Sequence, residues 1–326
     1  MFNKLKAFKK SRATDAPSSS TNNLTNFYAT GGQSYPSSEA PPEWAPALEN
    51  SHKYGKLDDA PAEEYRNALE FCKKYPLDYP KMLPSDTVDE INRIGCKAWG
   101  IEVPITPRFV GHIENYNPDS KGKPAVVSVR TQSKCKDVCL LSTIPIVAGL
   151  YDFGRKKGMY YEVYIKKMKG IIAIGTACKP YPQWRLPGWD RMSAGLHLDD
   201  MRKFFEDPNG GREYAQGLIT RISPGDTVGC GYELQTGAIF YTYNGTRLPN
   251  AFTGIYLPHN DQDVFAAIGV EGDCEFEVNF GGELFRWLEG NEWDWRVEGH
   301  VGRLEGRSGH LDDELPSYQE ARSNLF

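Results

Sequence analysis

What this sequence has little of narrows its functions first. It has no run of 18 apolar residues. The best candidate, residues 138–151, is shorter and holds Ser142, Thr143 and Pro145, so no membrane span is expected. The opening residues lack the apolar centre of a secretory signal, so export is not expected. The net charge is only −5, a field that favours neither nucleic acid nor an anionic surface, and no basic patch interleaved with aromatics marks a nucleic-acid partner. Cysteines number seven and are scattered, which suits free, mostly buried thiols in a reducing compartment. Cys135 and Cys139 lie four apart, but no second pair or His pair completes a zinc set. No GxSxG and no Cys/His signature stands out, and the Gly-rich 229–237 stretch runs into a strand where a phosphate loop needs a helix. His197, Asp199 and Asp200 are close in sequence, as are His259, Asp261 and Asp263. Such residues in Gly-rich loops are turn formers and solvated surface. No cofactor, no metal and no catalysis are therefore expected.

What is present is an abundance of short strands. Between residues 158 and 282, apolar runs are separated by Gly, Pro, Asn and Asp. Tyr160, Glu162, Tyr164 and Lys166 alternate with Tyr161, Val163, Ile165 and Lys167, a period that sends one set into a core and the other into water. Ile171 to Ile174 is a continuous apolar run. AIFYTY (238–243) meets Asn244-Gly245, which supplies the two positive-φ positions of a tight hairpin. Phe276, Val278 and Phe280 alternate with Glu275, Glu277 and Asn279. Strands with turn signals every 8–12 residues or so predict an all-β fold, a bent antiparallel β-sandwich.

The remaining chain divides by composition. Residues 1–40 form a basic and then Ser/Thr/Asn-rich tail, too polar to offset its ordering entropy. Within it Phe2, Leu5 and Phe8 fall on one helical stripe among Lys4, Lys6, Lys9 and Lys10. That arrangement would give weak, reversible contact with an anionic membrane surface, or else a solubilising tail. Residues 41–104 read as a partly helical extension. Pro61 and Glu63-Glu64 open a helix whose face is Tyr65, Ala68, Leu69 and Cys72. Ser85 caps a second, running through Val88, Ile91, Ile94 and Ala98. Residues 105–290 carry the sandwich, with strands expected at 107–113, 125–130 and 139–146, the last an edge because of Pro145. Residues 178–214 interrupt the strand spacing with a long Pro/Gly-rich aromatic insertion. Its Tyr181, Trp184, Arg185, Trp189, Arg212 and Tyr214 are of the types that dominate binding surfaces, although Trp189 and Tyr181 could equally plug the end of the sandwich. Residues 291–326 read as an acidic tail.

The sequence resembles the SPRY domain at YYEVYI (160–165), IAIGTA (172–177), RLPGW (185–189), SAGLHLDD (193–200), GDTVGCGYE (225–233), TGAIFYTYNG (236–245) and VNFG (278–281). The resemblance implies a bent β-sandwich that binds a protein or peptide through loops at one end, without catalysis. The blocks at 41–55 and 83–102 look like those of fungal SPRY proteins similar to the yeast adaptors that bring a WW-domain HECT ubiquitin ligase to membrane cargo. Those adaptors span the membrane, and this chain departs from them in having no span. A cytoplasmic protein, peripheral on endosomal or vacuolar membranes and acting in multivesicular-body sorting, is what that resemblance implies. The tail contains Leu315-Pro316-Ser317-Tyr318, which resembles a PY motif. Pro316 favours polyproline II, Tyr318 can enter a neighbouring pocket and Leu315 keeps the apolar contact of the first proline. Two readings remain open: an adaptor joining a cargo protein to a WW-domain HECT ligase, or a SPRY scaffold in which LPSY is accidental.

Overall fold

The computed structural model describes residues 62–119, 122–302 and 304. The basic stripe from Phe2 to Lys10 and the motif residues Leu315, Pro316 and Tyr318 lie outside them. Two helices come first, α1 (Ala62–Lys74) and α2 (Ser85–Ile94). Eleven antiparallel strands follow: β1 (Gly111–Glu114), β2 (Val127–Thr131), β3 (Val138–Leu141), β4 (Gly158–Cys178), β5 (Ser193–His197), β6 (Arg202–Phe205), β7 (Arg212–Glu213), β8 (Thr227–Glu233), β9 (Ala238–Tyr243), β10 (Thr246–Phe252) and β11 (Val264–Asn279).

The long strands β4 and β11 pair from Glu162–Asn279 to Cys178–Val264, the whole of β11, and belong to both layers. The first half of β4, Gly158 to Tyr164, pairs with β8, and its second half, Ala173 to Ala177, pairs with β5. In the same way β11 pairs with β3 through residues 267–270 and with β2 through 275–278. One layer is therefore β1-β2-β11-β4-β8-β9-β10, and the other is β3-β11-β4-β5-β6-β7. The bend lies where Gly170 opposes Gly272 (φ +75°). The fold-over is visible in one bond. The Tyr161 hydroxyl donates to the carbonyl of Gly175 at 2.6 Å, fourteen residues along the same strand. The core between the layers is Tyr161, Val163, Ile172, Ile174, Leu196, Ile239 and Tyr241 with their neighbours. The expected hairpin forms at Asn244-Gly245, with φ +48° and +85°, between Tyr243 and Thr246.

Several boundaries differ from the sequence reading. The alternation expected to send one set of β4 side chains into water does not hold at its start, where Tyr160 and Glu162 are buried as well as Tyr161 and Val163. The reason is a covering segment that the sequence reading placed partly in the tail. Residues 285–300 fold back over the first layer in short 3-10 turns and put Phe285, Trp287 and Trp295 against Tyr160 and Phe240. Glu162 is the polar anchor of this cover, accepting hydrogen bonds from the Tyr160 hydroxyl (2.7 Å) and from the backbone N–H of Trp287 and Arg286 (3.0 Å each). Val297 and His300 are also buried, so the ordered body extends past residue 290. Ser85 is the first residue of α2 and not its cap, because Pro84 holds the cap position and no side chain caps the helix. The helix stops at Ile94, since Gly95 has φ +64°, and Ala98 falls in a separate 3-10 turn. On α1 only Ala68 of the expected face is buried, while Tyr65 and Leu69 are exposed.

Candidate functional site

α1 is held to the sandwich by polar contacts on the side that carries Glu64, Phe71 and Cys72. Arg108 pairs with Glu64 at 2.9 Å. Arg191 donates to the carbonyls of Cys72 (2.6 Å) and Tyr75, which places a cation at the negative end of the helix. The Trp184 indole N–H points at the Glu64 carbonyl (3.4 Å), and its ring meets Phe71 edge-on at 5.6 Å. Next to this contact a groove of about 780 Å³ opens between Phe71, the extended residues 102–106, Cys139 and Leu141 of β3, and residues 179–184. That volume is within the usual range of binding pockets, about 300–1,000 Å³.

The lining is mainly apolar: Phe71, Val103, Pro104, Ile105, Leu141, Pro180, Tyr181 and Trp184. Val103 and Ile105 stand out from its lip with 61% and 97% of their surface exposed, a contiguous apolar display of the kind that marks interaction sites. The charged groups, Glu102 and Lys179, pair with each other at 2.5 Å, and the Lys179 ammonium also lies 4.0 Å from the Phe265 ring.

The six insertion residues divide unevenly around this groove. Trp184 is a half-buried wall. Tyr181 lines the base, but it is 4% exposed and its hydroxyl is spent on the carbonyl of Leu186. Arg185, Trp189 and Tyr214 are buried and cannot touch a partner directly. The physical reason is that the insertion is not one long loop. It supplies β5, β6 and β7, and its RLPGW segment seals the outer face of the second layer with Leu186, Trp189 and Phe204. Arg185 lies stacked at 4.7 Å on Trp189 and paired at 2.7 Å with Asp190, whose carboxyl burial raises and Arg185 lowers, with a net rise. Arg212 lies on β7, whose partner β6 separates it from the groove-lining residues. The sequence reading missed Phe71, Val103 and Ile105, and it placed the 139–146 strand at an edge without giving it a part in binding. The alternation of Val103 and Ile105 around Pro104 was the available signal.

The two His/Asp sets do not assemble sites. His197 is buried between Trp189 and Phe204, bonded to the Pro187 carbonyl, and burial pulls its pKa down to about 4; Asp199 and Asp200 are exposed. His259 is committed through Nδ1 to the Tyr232 hydroxyl and through Nε2 to the Leu234 carbonyl, while Asp263 accepts the N–H groups of Lys81 and Gly149. Among the described residues no three His, Cys, Asp or Glu side chains gather as a metal site, and no helix is long and apolar enough to cross a membrane.

Comparison with known proteins agrees with the strand pattern. The SPRY domain matches residues 158–283. The protein ssh4 of Sclerotinia sclerotiorum is 30% identical over 274 residues, covering 80% of this chain and 45% of that protein. A SPRY domain-containing protein of Schizosaccharomyces pombe is 29% identical over 270 residues, covering 79% of this chain and 62% of that protein. The chain thus spans about half the length of the ssh4 relatives it matches. A human SPRY domain crystal structure aligns with a TM-score of 0.39 at 23% identity, covering 57% of this chain and 99% of that one. Residues 158–283 are a SPRY domain, a fold that serves as a protein-interaction module, set in a chain similar to fungal ssh4 proteins over about four-fifths of its length.

Proposed function

We propose that this protein is a non-catalytic adaptor. Its SPRY-bearing body docks a cargo protein, and Leu315-Pro316-Ser317-Tyr318 recruits a WW-domain HECT ubiquitin ligase for endosomal sorting. The observation that carries the docking half is the groove with Val103 and Ile105 displayed at its lip, beside the Phe71–Trp184 wall. The chain is similar to fungal ssh4 proteins over about four-fifths of its length, and the sorting role itself rests on the resemblance to the yeast adaptors drawn from the sequence. The ligase half rests on the LPSY sequence, whose proline and tyrosine spacing suits an aromatic groove. Each contact is expected to be of micromolar strength, and joining both on one chain raises the local concentration of ligase at cargo. The basic stripe of Phe2, Lys4, Leu5, Lys6, Phe8, Lys9 and Lys10 would add weak attraction to an anionic membrane.

Titration of a labelled 308–326 peptide against isolated WW domains tests the ligase half. The expected result is saturable micromolar binding that Tyr318→Ala removes. Binding no better than a scrambled peptide would leave the second reading, a SPRY scaffold without a ligase. Lipid-vesicle sedimentation of the intact chain against one lacking residues 1–12 tests the membrane contact, and equal pelleting would remove it.

A further inference from the structure

The groove has little left to offer a guest by hydrogen bonding. The Trp184 indole N–H is turned to the Glu64 carbonyl, and the Tyr181 hydroxyl to the Leu186 carbonyl. Glu102 and Lys179 hold each other at 2.5 Å. The outer edge of β3 is closed as well. Ile101 bridges Ser142, the Glu102 N–H donates to the Leu141 carbonyl at 2.9 Å, and the Cys139 N–H donates to the Gln183 carbonyl at 2.8 Å. The carbonyls of Lys179 and Pro180 accept the Asp78 N–H and the Arg191 guanidinium. The exposed side chain of Gln183 is a polar group that remains at the rim. What the groove presents is apolar relief. Val103 and Ile105 stand up on either side of buried Pro104, and they point the same way because side chains alternate along an extended chain. Two residues of extended chain rise about 6.5 Å. Residues i and i+4 of an α-helix lie about 6 Å apart along one face.

We propose that the segment of the cargo protein seated in this groove is an amphipathic α-helix, with apolar residues at i, i+3, i+4 and i+7 turned onto Phe71, Leu141 and Trp184 and held by the lip of Val103 and Ile105. The inference rests on the docking reading above and names the chemistry of the partner segment. A helix closes its own N–H and C=O groups, so it enters a groove that lacks free donors and acceptors without stranding any. An extended segment brings one donor and one acceptor per residue. Each of these that is taken from water and left unpaired costs more than a made hydrogen bond returns. A polyproline II segment has no internal hydrogen bonds, and the two aromatic donors that could meet its carbonyls, on Trp184 and Tyr181, are turned away from it. Val103 and Ile105 are spaced closely enough to the i, i+4 repeat to seat between neighbouring residues of a helical face. Glu102 and Lys179 neutralise each other, so selection falls on the spacing of apolar side chains and not on charge.

The test pans two displayed peptide libraries on the intact protein. Both use peptides of about 18 residues, long enough to hold a helix. One has a helix-forming host of Ala, Glu, Lys and Gln with one face randomised. The other is random except for a proline at every third position, which forbids a helix. Enriched peptides are measured by fluorescence anisotropy against the parent protein and against Ile105→Asp and Val103→Asp, two exposed positions whose variants should keep the parent unfolding midpoint. The expected result is binders from the helix-forming library that gain helical circular dichroism on binding. They should lose at least tenfold in affinity with either variant, and at least tenfold when a proline is placed at their centre. If the lip-dependent binders come from the proline library, or tolerate the central proline, the helix is wrong and groove docking stands. If sedimentation equilibrium shows self-association that Ile105→Asp abolishes, a second copy covers the groove and the helix proposal falls. If neither library gives a binder that the two variants weaken, the groove is not the docking site and both readings fall.

Discussion

Replacing Glu162 with Gln tests how the cover over the first layer is fastened. Three donors converge on this carboxylate. The Tyr160 hydroxyl and the Trp287 N–H meet Oε1, and the Arg286 N–H meets Oε2. A glutamine of the same shape has one acceptor oxygen and one amide that only donates. Whichever way it lies, at least one backbone N–H then faces an NH₂ group. The substitution therefore loses a charge-assisted hydrogen bond, about 1.5–3 kcal/mol, and strands a donor that Trp287, Trp295 and Phe285 shield from water, about 1–3 kcal/mol more. Part of that cost is relieved by small shifts of the cover, so about 2–4 kcal/mol is expected. The assay is urea unfolding followed by tryptophan emission and near-ultraviolet circular dichroism, with the midpoint falling and the slope unchanged. Glu277→Gln is the control. Glu277 pairs with Lys166 at the surface, so its loss should cost under about 1 kcal/mol. Equal effects of the two substitutions, or a Glu162→Gln loss below about 1 kcal/mol, would refute the anchoring role.

Gly175→Ala should cost more than about 3 kcal/mol or prevent folding, because its added Cβ would sit 1.8 Å from the Ala194 carbonyl oxygen in the paired strand. Normal thermal stability of that variant would mean that β4 and β5 are not packed as described. Asp137 gives a pH-dependent prediction. Burial, with Glu271 adding to it, pushes its carboxyl up to about 7 from an ordinary 3.8. A raised folded-state value means that the stability this group contributes is whole below about pH 3.8 and is lost as the pH rises through 7. Asp137→Asn, which cannot ionise, should therefore become more stable than the parent chain between pH 5 and 8, by on the order of 2 kcal/mol. A gap that is constant with pH, or that widens toward acid, would contradict this.

The sandwich was legible because its signals are local. Alternation at 276–280, the unbroken apolar run at 171–174 and Asn244-Gly245 each determine a strand or a turn without reference to distant residues. The sealing of the first layer's outer face was not legible, because it depends on contacts more than a hundred residues apart, as between Glu162 and Trp287. Glu162 reads as a surface residue until Trp287 and Trp295 are laid over it. Trp189 and Arg185 read as binding residues until the second layer is seen to need a cover. Aromatics and arginine have the same composition in a lid as in an interface, and only burial separates them. Of the groove, Trp184 and Tyr181 were within reach of sequence. Phe71 was not, because the apolar periodicity of α1 pointed to Tyr65 and Leu69, whereas Arg108 and Arg191 fix the helix by Glu64 and by its last carbonyls.

The central claim, two separate docking contacts on one chain, is most directly tested by proximity labelling of the intact protein in its own cells, repeated with Tyr318→Ala and with Ile105→Asp. The expected result is two distinct losses: WW-domain ligase disappears with Tyr318→Ala while cargo remains, and cargo disappears with Ile105→Asp while ligase remains. Labelled sets unchanged by both substitutions, or a ligase signal that survives Tyr318→Ala, would contradict it.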